Sequence, residues 1–141
     1  MKVRDLMQDF LEVDADTSVC RLAKKMEEKH TSSALVTRNG TIVGIVTEKD
    51  IVKKVVANCK DSLAINVFEI MNSPVITISA DADILEATDL MDRKVIRRLA
   101  VVDSSGKIIG KITARNVARN YRYLLGRKLT ASQVQYTRNF E

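Results

Sequence analysis

The chain has 141 residues, and its 23 Lys and Arg exceed its 18 Asp and Glu by five. That length fits one ordinary domain or two very small ones, and 45% hydrophobic residues suffice for a packed core, which excludes wholesale disorder. One Pro and five Gly exclude collagen-like and Pro-rich linker sequences.

The charge is uneven. Residues 1–113 hold 17 basic and 17 acidic side chains, whereas residues 114–141 hold six basic and one acidic. Tyr121, Tyr123, Tyr136 and Phe140 lie in that last stretch too. No apolar run approaches the roughly 20 residues that a bilayer crossing needs, so no membrane partner is expected. The opening MKVRDLMQDF is acidic by its fifth residue and has no apolar h-region, so no signal peptide is expected. Cys20 and Cys59 are isolated, with no CxxC, which suits a reducing cytoplasm. With a single His, no zinc site is expected.

Along the chain, a short apolar element holds Leu6-Met7 and a brief strand covers 11–13. Asp16 or Thr17 then caps a helix whose buried stripe is Val19, Leu22, Ala23 and Met26, at i, i+3, i+4, i+7. A strand at 34–37 turns at Arg38-Asn39-Gly40, because Asn and Gly tolerate positive φ, and returns over 41–46. A second helix starts near Glu48.

The whole pattern then repeats. Leu6-Met7 returns as Ile70-Met71, and the first strand as 75–78. Asp81 or Asp83 caps a helix with the stripe Ile84, Ala87, Thr88 and Met91. Ala34-Leu35-Val36 is matched to Ala100-Val101-Val102, and the hairpin turn to Ser104-Ser105-Gly106. The offset drifts from 64 to 65 to 66, so two single-residue gaps suffice. The fold class expected is α/β: two β-α-β-β-α repeats packed by pseudo-two-fold symmetry, since one unit of about 55 residues is marginal alone. The expected division is 1–58, a connector at 59–66, 67–125, and a basic tail at 126–141. Met7, Met26, Met71 and Met91 are expected in the core.

Each repeat carries one chemical motif at the junction of its last strand and the helix that follows. It reads Gly44-Ile45-Val46-Thr47-Glu48-Lys49-Asp50 in the first and Gly110-Lys111-Ile112-Thr113-Ala114-Arg115-Asn116 in the second. Unpaired N–H groups and the positive helix end favour phosphate there. A carboxylate such as Asp50 suits the two hydroxyls of a ribose, and Gly44 would let the chain pass close to a ligand. The plainer reading is that Thr47 and Asp50 cap the helix.

Set in this duplicated frame, the motif resembles the paired CBS domains known as Bateman modules, over residues 2 to about 120. The resemblance implies a stand-alone regulatory module that binds AMP, ADP, ATP or S-adenosylmethionine in a cleft between repeats and changes conformation. It implies a first site of Ile45, Thr47 and Asp50 facing Ile96, Arg97 and Arg98, with Thr31 and Ser32 the matching positions in the first repeat. Adjacent arginines suit phosphates. A second, weaker site would use Thr113, Arg115 and Asn116, because Asn116 replaces the carboxylate and Lys111 an apolar residue. The resemblance also implies a homodimer, and a separate, unknown effector protein would receive the signal.

No cofactor is expected, and Mg²⁺ would come only with nucleotide phosphates. No enzyme is expected: His30 reads as a surface residue, and neither a Ser-His-Asp set nor a Walker loop is present. The alternative is an RNA- or DNA-binding protein. Arg115, Arg119 and Arg122 fall at i, i+4, i+7 opposite an apolar side of Val117, Tyr121 and Leu125, before a helix end expected at Gly126.

Overall fold

A computed structural model describes residues 1–125, with side chains described to residue 120. The helix end at Gly126, the tail at 126–141 and the Arg122 side chain lie outside the described residues. The chain forms two compact units: Phe10–Val75, and Met1–Asp9 joined to the chain from Ile76 on.

The first unit runs β1 (Leu11–Asp14), α1 (Val19–Lys29), β2 (Ser33–Arg38), β3 (Thr41–Thr47), α2 (Glu48–Ile51), π-helical turns at Val52–Val56, and α3 (Val67–Ile70). Its sheet has the order β1-β2-β3, with β1 and β2 parallel and β2 and β3 antiparallel. The second unit opens with a 3-10 turn at Val3–Asp5. It continues as β4 (Thr77–Ser79), α4 (Ile84–Lys94), β5 (Arg98–Val102), β6 (Ile108–Thr113) and α5 (Ala114–Leu125). Its sheet, β4-β5-β6, repeats the same parallel and antiparallel pairing.

Each predicted helix stripe is buried at three of its four positions, whereas Ala23 is exposed and Thr88 half-buried. Val19, Leu22 and Met26 of α1 enter the first core, and Ile84, Ala87 and Met91 of α4 enter the second. Met7 and Met71 pack against those cores as partly buried residues. The N-cap of α1 is Ser18, whose Oγ accepts from the Arg21 N–H at 3.2 Å; it is neither Asp16 nor Thr17. Those two residues belong to the preceding turn, where Asp14 Oδ1 accepts from the Asp16 N–H and the Asp14 carbonyl from the Thr17 N–H. Asp83 caps α4 as predicted, through Leu85 N–H. The hairpin turns at Asn39 and Gly40, both at positive φ.

The ladders move one gap in the repeat. Ser33 pairs with Thr47 as Arg98 pairs with Thr113, and Val36 pairs with Gly44 as Val101 pairs with Gly110. Ala34-Leu35-Val36 therefore corresponds to Leu99-Ala100-Val101, one residue earlier than the sequence match. The extra residue sits in the second hairpin turn, where the Arg38–Thr41 pair of the first hairpin has no ladder counterpart.

The units also interleave along the chain. Val67 and Ile70 lie in the first core, with Val67 N–H on the Thr17 carbonyl and Phe68 N–H on the Ala15 carbonyl. Val3 lies in the second core, with Val3 N–H on the Ala82 carbonyl and Arg4 N–H on the Ala80 carbonyl. Each unit thus borrows the leading segment of the other repeat.

Candidate functional site

The strand-to-helix junction of the first unit is built around Asp50. β3 ends at Thr47, whose extended backbone makes it the N-cap of α2. Three residues on, Asp50 reaches back: its Oδ2 accepts from Thr47 N–H at 2.9 Å and from Thr47 Oγ1–H at 3.2 Å. Asp50 is only 7% exposed, so its charge needs partners. Lys54 supplies one, its Nζ 3.2 Å from Oδ1. Asn72 supplies another, its Nδ2 2.9 Å from both Oδ1 and Oδ2. Lys54 also donates to the Ile70 carbonyl at 2.8 Å and to Asn72 Oδ1 at 3.2 Å. The helix expected from Glu48 stays α-helical for four residues before its π-helical turns, which carry Lys54.

Gly44 has a different task from the one its motif suggests. A Cβ there would lie 2.5 Å from Met71 Sδ and 2.9 Å from the Asn72 carbonyl oxygen. The close approach is by the chain itself, because Ile45 and Asn72 exchange backbone hydrogen bonds of 2.9 and 2.8 Å. Gly110 repeats the arrangement with Met7 and Gln8.

The second junction is neutral. Thr113 Oγ1 donates to Asn116 Oδ1 at 2.6 Å and accepts from Asn116 N–H at 3.1 Å. Asn116 is likewise 7% exposed. Asn120, four residues on, donates to the Asn116 carbonyl at 2.8 Å. So an Asp–Lys pair in one repeat becomes an Asn–Asn pair in the other.

Of the other predicted residues, Thr31 and Ser32 lie beside the first junction. Thr31 Oγ1 donates to the Ser33 carbonyl at 3.2 Å, and the Ser32 carbonyl accepts from Glu48 N–H at 3.0 Å. Ile45 is half-buried on β3. In the second unit Ile96 packs against the core, Arg97 is exposed with its carbonyl on Ala114 N–H, and Arg115 is exposed on α5. By register, Thr31 matches Ile96 and Ser32 matches Arg97, so Arg98 is the counterpart of Ser33. Arg98 and Lys111 share one half-buried face of the sheet as diagonal neighbours. Burial lowers the pKa of the Lys111 ammonium, and the Arg98 charge lowers it further.

Asn72 and Lys54 were missed by sequence reasoning. Two signals pointed to them: the i, i+4 spacing of Asp50 and Lys54, and the position of Asn72 directly after the repeated Ile70-Met71. His30 is exposed at the left-handed C-cap of α1. A surface cavity of about 470 Å³ is lined by Asp14, Asp16, Thr17, Ser18, Arg21 and Lys25, none of them a predicted ligand residue. Among the described residues no His, Cys, Asp and Glu group could hold a metal, and no helix is long and apolar enough to cross a membrane.

A duplicated α/β unit with a polar strand-to-helix junction in each copy defines the class, and the CBS domain profile matches residues 3–57 and 67–123. This chain belongs to the CBS-domain family. It is 35% identical over 119 residues to an uncharacterised protein of Methanopyrus kandleri, covering 84% of this chain and 61% of that protein. The chain thus spans less than two thirds of that curated relative. Its fold is shared with a CBS domain protein of Pyrobaculum aerophilum solved in complex with AMP (24% identity, TM-score 0.75, 83% and 90% of the two chains). It is shared equally with the CBS domain pair of protein MJ0100, solved with 5-methylthioadenosine and S-adenosyl-L-methionine (24%, 0.75, 86% and 95%).

Proposed function

We propose that this protein is a regulatory sensor of an adenine ligand, AMP, ADP, ATP or S-adenosylmethionine, with Asp50 as its ribose anchor. The observation that carries the reading is the buried Asp50 carboxylate, held by Thr47 at the end of β3. It is an acceptor pair of the geometry a vicinal diol requires. The AMP and S-adenosylmethionine complexes of proteins with the same fold support it. Arg97 and Arg98 serve as phosphate partners, and the neutral Asn116 junction is a weaker site. In this reading the protein is a cytoplasmic homodimer that signals to a separate effector protein and performs no catalysis. The ligand acts through its different affinity for two conformations.

A thermal-shift panel tests this. A ligand at 100 times its Kd should stabilise the wild type by about 2.7 kcal/mol, and Asp50→Ala should lose that response. A full response in Asp50→Ala would place the site elsewhere. No response of the wild type to any of the four ligands would end the adenine reading.

A further inference from the structure

Asp50 is already fully engaged without a ligand. A carboxylate offers about four lone-pair sites, and Thr47 N–H, Thr47 O–H, Lys54 and Asn72 converge on them. A vicinal diol must therefore displace a resident donor. Thr47 N–H is fixed by the backbone, and Lys54 brings the compensating charge. Asn72 is the neutral donor, and its residue is exposed although the carboxylate it holds is buried. Its amide has one consistent orientation, nitrogen towards the anion and oxygen towards the Lys54 ammonium. Its backbone is pinned to Ile45 by two hydrogen bonds, so only the side chain needs to move.

The second unit is an internal comparison. Asn116 has no charge to compensate and Asn120 stands in the place of Lys54. Gln8, in the place of Asn72, uses only its backbone among the described hydrogen bonds. The carboxylate, the lysine and the side-chain amide contact occur together in one unit, and among the described residues none of the three is found at the matching positions of the other.

We propose that the Asn72 carboxamide is a built-in placeholder for a ligand diol, occupying both oxygens of Asp50 until two hydroxyls replace it. This rests on the ribose reading of Asp50. Asn72 thereby sets the affinity of the site and favours ligands that bring two adjacent hydroxyls.

The test is calorimetric titration of the full chain with AMP and with 2′-deoxy-AMP, for wild type and Asn72→Ala, together with the side-chain amide ¹⁵N resonance of Asn72. With the competitor removed, AMP should bind about three- to tenfold tighter, the size expected for one ordinary net hydrogen bond, and 2′-deoxy-AMP should gain less. In the ligand-free wild type the Asn72 amide resonance should differ from that in Asp50→Ala, and AMP should move it towards the Asp50→Ala value. Equal or weaker AMP binding by Asn72→Ala overturns the proposal, as does an Asn72 resonance unaffected by Asp50→Ala. If AMP, ADP, ATP and S-adenosylmethionine all fail to bind either protein, the adenine reading falls and displacement by a ligand diol falls with it. The ligand-free resonance then decides separately whether Asn72 holds Asp50.

Discussion

At Gly44 and Gly110 the limiting factor is space. Both glycines lie under a crossing segment of their own unit, but not equally. The carbonyl oxygen facing Gly44 would sit 2.9 Å from an added Cβ, with Met71 Sδ at 2.5 Å, whereas at Gly110 the corresponding atoms are 3.0 and 3.1 Å away. A thioether can rotate aside, but a carbonyl held in a backbone bridge cannot. Gly44→Ala and Gly110→Ala should therefore each destabilise by about 1–3 kcal/mol, measured by urea denaturation. A negligible cost at either position would mean that the backbone bridge over it gives way. The same residue-level view explains what the motif hid. Its Gly, Thr and Asp were legible as a set, but Gly44 serves the chain crossing and Asp50 serves Asn72 before any ligand arrives. Asn72 lies 22 positions from Asp50, and no local pattern spans that distance.

Among the elements, α1 and α4 were legible because each has a strong 3.6-residue stripe, and the hairpins because Asn-Gly and Ser-Gly turn readily. Helix ends were harder. α1 and α4 both stop at a left-handed C-cap, His30 in one and Val95 in the other. The C-cap N–H bonds to the carbonyls of Asp92 and Met91 in α4, which makes this geometry worth keeping. Val95 is β-branched, at φ 54°, and 91% exposed, so it bears the steric cost without any packing in return. The left-handed conformation costs an L-residue about 1–2 kcal/mol and a glycine nothing, while glycine adds unfolded-state entropy of about 0.5–1 kcal/mol. Val95→Gly should thus stabilise by up to about 1 kcal/mol, raising Tm by a few degrees. A lower Tm would show that Val95 makes a contact in solution that its exposure conceals. The shift of the repeat gap into the second hairpin belongs to this scale too. Ala34-Leu35-Val36 and Ala100-Val101-Val102 look alike as letters, and only the ladder partners show that Leu99 and Val101 face the core.

Across the whole molecule, the first segment of the chain completes the unit formed by its second half. Val3 is fully buried there, Gln8 and Lys111 exchange backbone bonds, and Arg4 pairs with Asp81 at 2.7 Å. The Arg4 guanidinium holds the Asp81 carboxyl below the usual carboxylate range, first by hydrogen bond and then by charge. The pair's modest contribution is therefore present above the ordinary carboxylate value and lost as pH falls through the lower folded one. Deleting residues 1–9 should cost the second unit about 2–3 kcal/mol, chiefly from Val3 burial. Hydrogen exchange would read this as lost protection in β4–β6. A loss confined to β1–β3, or no loss, would contradict the assignment of Met1–Asp9 to that unit. The five-charge surplus separates from both cores in the same way: Arg115 and Arg119 are exposed on α5, while Val117 on its other side is buried.

The duplication, the strand and helix order, most of the core stripes and the pair of junction motifs are written in the amino-acid order alone. These depend on periodicity and on short-range turn chemistry, which adjacent residues encode. The tertiary structure alone decided which leading segment completes which core, why Gly44 and Gly110 are glycines, and which neighbours hold Asp50. Those outcomes depend on backbone approach and on hydrogen bonds between residues far apart in the chain, where geometry rather than spacing selects the partner.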